Sequence, residues 1–400
     1  LNSMATKESI TRDLEELKAK GFGGAMIFDA GSSSYKIAKK TAAGPVFGSI
    51  EWKELFAFAL EEANRLGLEM SLNIQSGWNP GGPTVTPKDA MKKVVWTEQR
   101  VTGPTEFAGL LPISDGEYYQ DIVIQAHRWK PKVHPPLLNW QYKTFNQRFK
   151  GFDAYPLYKL REQYDAAVAD FDLKSDSLID LTAHLDGNGL LKWAIPEGEW
   201  VVLRMGSALT GAKVSTSSDG YMGLSFDHLN TRALENFFAE VIDPILEYGG
   251  EHVGSTLKYL FTDSWEMGRT NWTEDFIDEF KQRRSYDPTP YLSTLTGKIV
   301  DDREISNRFL YDFRKTISDC VADRMYAEFA RLAHERGLRV HPESGGPHAA
   351  PIDGLKCLGR NDVPMGEFWA RSNTHRFKED HRLFLKQSSS AAHIYGKRFV

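Results

Sequence analysis

The chain has 400 residues, too many for one ordinary domain and suited to a large α/β barrel that carries an insertion. Its hydrophobic share of 41% and charged share of 26% are ordinary for a globular protein, and a formal net charge of −5 leaves no basic footprint for nucleic acid. Two cysteines, Cys320 and Cys357, exclude a disulfide framework and a cysteine metal site, and no apolar run approaches the roughly 20 residues that span a bilayer.

The chain opens on Leu1 rather than methionine and enters an amphipathic helix, Ile10–Lys20, with Thr6 and Ser9, or Thr11, as its N-cap. Gly21–Gly24 then feed the apolar run AMIFDAG, which turns polar at Asp29. Helix Trp52–Leu66 leads through Gly67 into LEMSLNIQSGW. From about Val94 to Met205 the rhythm changes to β-rich runs, KVVWTEQRV, DIVIQAHRW, SLIDLTAHL, LLKWAIPEGEW and WVVLRMGS. The only helical signal there is a turn around Tyr155–Ala169, and DGNG (186–189) and PEGE (196–199) read as tight turns. The last run, EWVVLRMGSA, is expected to re-enter the barrel as a strand.

Helix Thr231–Tyr248 then leads to LKYLFTDSWE, and helix Asp301–Arg336 leads through Gly337 to LRVHPESGG. A short helical turn, Pro351–Leu358, precedes DVPMGEFW, and helix Lys378–Ala392 leads through Gly396 to KRFV. Helices that end near a left-handed glycine and feed a strand argue for parallel strands joined by crossover helices. The expected architecture is a (β/α)8 TIM-type barrel, α/β in class, incomplete at its C-terminus. Residues 1–93 form its first part, 94–199 a β-rich insertion after the second strand, and 200–400 its continuation. Because GKRFV reads as an unfinished apolar strand, the chain is expected to be an internal piece whose partner is the missing C-terminal part of the same polypeptide.

The strand ends carry the chemistry. The first ends in Asp29, the second in Gln75, Trp78 and Asn79, and the fourth in Asp263, Trp265 and Glu266. The fifth ends in His341 and Glu343, and the sixth in Glu367 and Trp369. Buried unpaired carboxylates cost several kcal/mol, so a packed barrel interior would not select glutamate at so many equivalent positions. Active sites of barrels lie at the C-terminal strand ends. Glutamates and tryptophans converging on one rim suit a glycosidase, in which one carboxyl protonates the leaving oxygen and another activates water or attacks the sugar carbon. Aromatic rings hold the sugar.

Each feature has a plainer reading. Asp263 can cap a turn and Glu266 can be a solvated loop residue. SGWNPGGP lacks the lysine and Ser/Thr of a phosphate-binding P-loop. His341 and Glu343, with His348 near, could ligate a metal, yet a structural hydrogen bond from a lone histidine is commoner. Trp52 and Trp272 fit packing better than sugar binding, and RRSYDP (283–288) fits a solvated helix end.

NIQSGWNPGGP, TDSWEMGRTNWTEDFIDEFKQRRSYDPTPYL, VPMGEFW and KQSSSAAHIYGKRFV, with LKWAIPEGEWVVLRMG between them, resemble signature segments of glycoside hydrolase family 106, the α-L-rhamnosidases. The likeness keeps the same order over nearly the whole chain. It implies a (β/α)8 catalytic domain, inversion at the anomeric carbon, and a calcium ion that helps bind the rhamnose hydroxyls. It implies bacterial periplasmic or secreted enzymes acting on plant polysaccharides. By position, Glu266 corresponds to the general acid and Glu367 to a candidate base or calcium-site residue. The family's further glutamate falls beyond residue 400. Other readings are a barrel glycosidase for another sugar and a noncatalytic carbohydrate-binding relative, which would have no reason to keep Glu266.

Overall fold

The computed structural model describes residues 4–31, 42–113, 116–131, 134–145, 171–267, 269–345, 352–367 and 382–398. Ten strands occur among them: β1 (Gly24–Asp29), β2 (Glu69–Ser76), β3 (Gly81–Gly82), β4 (Lys92–Leu110), β5 (Tyr119–Arg128), β6 (Ile179–Asp180), β7 (Leu190–Leu209), β8 (Leu224–Ser225), β9 (Leu257–Phe261) and β10 (Arg339–Val340). The chain divides into two compact units, one of Leu1–Met91, Gly211–Glu266 and Asp319–Val400, the other of Lys92–Thr210 and Met267–Ser318.

The first unit is built on a parallel sheet in the order β1-β2-β9-β10. Helix Lys7–Ala19 starts at a capping box in which Thr6 and Ser9 satisfy each other's backbone N–H groups at 2.9 and 3.2 Å. Helix Ile50–Leu66 is capped by Ser49 and ends at Gly67 in the left-handed conformation, as its sequence requires. Strand β2 is buried at every position from Met70 to Ser76, the pattern of a strand inside a parallel sheet. The segment before β9 is one helical path, Thr231–Phe237 and Asp243–Gly249 joined by a π turn.

The architecture is α/β with parallel strands, but the sheet has four strands and is not closed into a barrel among the described residues. DVPMGEFW, expected as a strand, is irregular through Glu367, and Trp369 lies outside the described residues. Asp362 and Val363 both donate to the Val340 carbonyl, at 3.0 and 3.2 Å, and Pro364 then supplies no N–H to continue a ladder. Strand β10 is short for the same reason, since Pro342 interrupts it. His341 and Glu343 still donate to Leu260 and Thr262 carbonyls, each at 3.2 Å, so the extended path continues beside β9. At the end of the chain Lys397 and Arg398 are irregular, and Phe399 and Val400 lie outside the described residues.

The second unit holds an antiparallel sheet in the order β4-β7-β5-β6. Its core gathers Val101, Ile124, Leu191, Val202, Trp193 and Trp200, with the two indoles edge to face at 5.6 Å. DGNG makes the expected turn, closed by Gly189 N–H to Asp186 carbonyl at 3.0 Å. PEGE does not. It lies inside β7, where Pro196 and Glu197 oppose Pro104 of β4 and the pairing register shifts. Prolines facing each other have no N–H to exchange, so the ladder opens locally while both strands run on. EWVVLRMGSA forms the second half of β7, paired with β4 and β5, and does not join the parallel sheet. The unit also takes in residues 267–318, which the sequence reading assigned to the barrel. Asn271 explains part of this, because its side chain accepts from Val94 N–H and donates to the Thr144 carbonyl, both at 2.8 Å. The helical turn expected at Tyr155–Ala169 lies outside the described residues.

Candidate active site

The site lies in the first unit, at the C-terminal ends of β1, β2, β9 and β10. Asp29, at the end of β1, is 6% exposed and spends its carboxylate on the protein. It accepts from the Ser76 hydroxyl, from the Ser218 hydroxyl at 2.5 Å and from the Trp52 indole at 3.3 Å. Asn79 is buried as well, accepting from Ser215 N–H at 2.7 Å and donating to the Ser225 hydroxyl at 2.5 Å. Both residues therefore hold the loop 213–218, which the sequence reading missed. Gln75 accepts from Thr262 Oγ1 at 2.7 Å and ties the end of β2 to the end of β9. Trp78 is half-buried, its ring 5.3 Å from Phe28. Of these four expected sugar-binding residues, Trp78 alone is left partly open.

The carboxylates do gather. Glu266 is exposed and accepts from the Ser264 hydroxyl at 2.9 Å. Asp263 and Glu343 are half-buried and influence each other's charge, and both feel the charges of Glu266 and Glu367. Burial first, then the charges of Asp263 and Glu367, pushes the Glu343 carboxyl far above the ordinary range. Asp263 is also pushed up, chiefly by burial, although the Ser264 N–H at 2.7 Å works the other way. Two interacting buried carboxyls do not ionise independently, so the proton that leaves last belongs to the pair. Trp265, one of the strand-end rings expected to hold the sugar, is buried rather than open at the rim. It is 2% exposed and points inward, its ring edge-on to His228 at 6.3 Å and its backbone N–H donating to the Ser344 carbonyl at 2.7 Å.

His341 is a packing residue. Its ring bonds the Ser71 hydroxyl at 2.6 Å and contacts Met365 sulfur at 3.0 Å, and burial lowers its pKa to about 4. It is neutral at neutral pH. His348 lies outside the described residues. The oxygen donors of Asp263, Glu266, Glu343 and Glu367 have the chemistry calcium prefers. Among the described residues no three His, Cys, Asp or Glu side chains are grouped so as to hold a metal ion.

The sequence profile of the alpha-L-rhamnosidases of glycoside hydrolase family 106 matches residues 1–128 and 115–400. The chain belongs to that family. A curated protein of Formosa agariphila, which carries a provisional beta-glucuronidase name, is 34% identical over 100% of this chain and 33% of its own length. The rhamnosidase of Novosphingobium sp. PP1Y shares the fold with a TM-score of 0.84 at 24% identity, over 99% of this chain and 50% of its own. The family 106 chain thus spans a third of one relative and half of the other. No described helix is long and apolar enough to cross a membrane.

Proposed function

We propose that the full-length polypeptide is a glycoside hydrolase that removes terminal α-L-rhamnosyl residues from plant-type polysaccharides or glycosides with inversion. The parallel sheet described above is read as part of a (β/α)8 barrel. Work on such substrates would place the enzyme in the periplasm or outside the cell, as family membership suggests. The observation that carries the reading is the exposed Glu266 beside Asp263 and Glu343, which follow the carboxyl ends of the adjacent parallel strands β9 and β10, with Glu367 close enough for its charge to be felt from an irregular segment.

In this reading Glu266 hands its proton to the glycosidic oxygen, because it is the carboxyl that reaches solvent. A second carboxylate, for which Glu367 is the candidate within the chain, removes a proton from the attacking water on the opposite face of the ring. Inversion needs these two about 6.5–9.5 Å apart, with the water between them. The Asp263–Glu343 pair keeps one negative charge close by, where it favours the positive charge that develops on the sugar ring.

The provisional name of the Formosa relative raises a second reading, a glycosidase for an uronic acid. A rim with four acidic side chains repels a sugar carboxylate, which favours the neutral deoxy sugar. One assay separates the two, with aryl α-L-rhamnosides and aryl β-glucuronides offered to wild type and Glu266→Gln. The rhamnoside should be cleaved, and the variant should lose on the order of a hundredfold with a poor leaving group and less with an activated one. Cleavage of the glucuronide alone, or equal loss on both leaving groups, would defeat the reading.

A further inference from the structure

We propose that Ser264 is a positioning residue for Glu266, its hydroxyl selecting the carboxylate oxygen that presents the proton to substrate. The inference rests on the acid role proposed for Glu266. The run Thr262–Glu266 has no regular secondary structure, yet its backbone is pinned on both sides of the serine. Thr262 Oγ1 bonds Gln75 at 2.7 Å, and the buried Trp265 donates its backbone N–H to the Ser344 carbonyl at 2.7 Å. Ser264 itself is 5% exposed, with its N–H on Asp263 Oδ1 at 2.7 Å and its hydroxyl on Glu266 Oε1 at 2.9 Å. A buried, anchored residue therefore holds one carboxylate oxygen of an exposed one.

The chemistry follows from which oxygen is used. A carboxyl oxygen that already accepts from Ser264 is the poorer carrier of the acid proton, so the proton resides on Oε2. General acid catalysis requires that proton within hydrogen-bond reach of the leaving oxygen, and a freely rotating glutamate meets this condition only part of the time. A donor to the carboxylate also favours its charged form. Losing that donor lets the acid keep its proton to higher pH.

The test is a double-mutant cycle in the full-length polypeptide, with Ser264→Ala, Ser264→Thr and Glu266→Gln, assayed on an aryl α-L-rhamnoside with a poor leaving group. Ser264→Ala should lower kcat on the order of tenfold with little change in KM. The basic limb of its pH profile should move to higher pH. Ser264→Thr, which keeps the hydroxyl, should restore both, and Ser264→Ala should add no loss in the Glu266→Gln background. An unchanged kcat and profile in Ser264→Ala while Glu266→Gln is inactive would overturn this inference and leave the acid role standing. Equal further loss in the Glu266→Gln background, or a Thr variant as poor and as low-melting as Ala, would also overturn it in favour of a structural role. Wild-type activity in Glu266→Gln alone would overturn both.

Discussion

Asp263 and Glu343 show how far one residue's behaviour is set by another. Both carboxyls are held above their ordinary pKa, Glu343 by burial and by Asp263, Asp263 mainly by burial. The folded state therefore binds a proton that the unfolded chain releases. Stability from this source is complete below the ordinary carboxyl range and is lost as pH rises through the folded-state values. Glu343→Gln keeps the shape and a donor for Asp263 but removes the titration. Its melting temperature should exceed that of wild type at about pH 8 and match it near pH 4. The same difference at both pH values would show that the pair carries no linked proton. These two residues were legible in the sequence as polar strand ends. So were Asp29 and Asn79, and there the pattern misled, because a polar strand end does not reveal what it faces. Their partners, Ser215 and Ser218, arrive from more than a hundred residues away in a loop that carries no recognisable signature.

That loop is the element on which the rim depends. Gly31 and Gly77 admit its backbone, since a Cβ on either would stand 2.0 Å from the carbonyl oxygen of Ser217 or Ser215. Gly77 also has φ +86°, a conformation side chains rarely adopt. Gly21 has nearly the same φ, +85°, but nothing lies within 4 Å of its Cβ position. Gly21→Ala should therefore cost about 1 kcal/mol from backbone strain alone. Gly77→Ala should cost roughly 2–4 kcal/mol and reduce activity as the loop is displaced. Equal melting losses in the two variants would show that the loop yields freely. Helices and their strands were readable because period, cap and glycine agree locally. Strand ends and turns were less so. Pro342 and Pro364 stop strands that the apolar pattern would extend, whereas Pro196 bulges a strand that its turn-like neighbours would end.

At the scale of the molecule the sequence pattern revealed a set of parallel strands and a β-rich insertion, but not which distant segments join each. Residues 267–318 belong with β4 and β7 through side-chain bonds such as those of Asn271, which leave no periodic trace in a sequence. The parallel sheet has its own consequence for how the chain behaves. Strand β1 stands at its edge among the described residues, with Met26 41% and Phe22 55% exposed beside it. Parallel strands are normally covered on every side, and an edge with apolar side chains recruits other strands. The 400-residue chain expressed alone should therefore self-associate as concentration rises. Met26→Lys places a charge on that strand and should shift the chain toward monomer with little change in melting temperature, because the side chain is already partly in water. Light scattering behind a sizing column reads the result. A wild-type chain that stays monomeric at high concentration, or a Met26→Lys chain that associates just as readily, would show that β1 is not the adhesive edge.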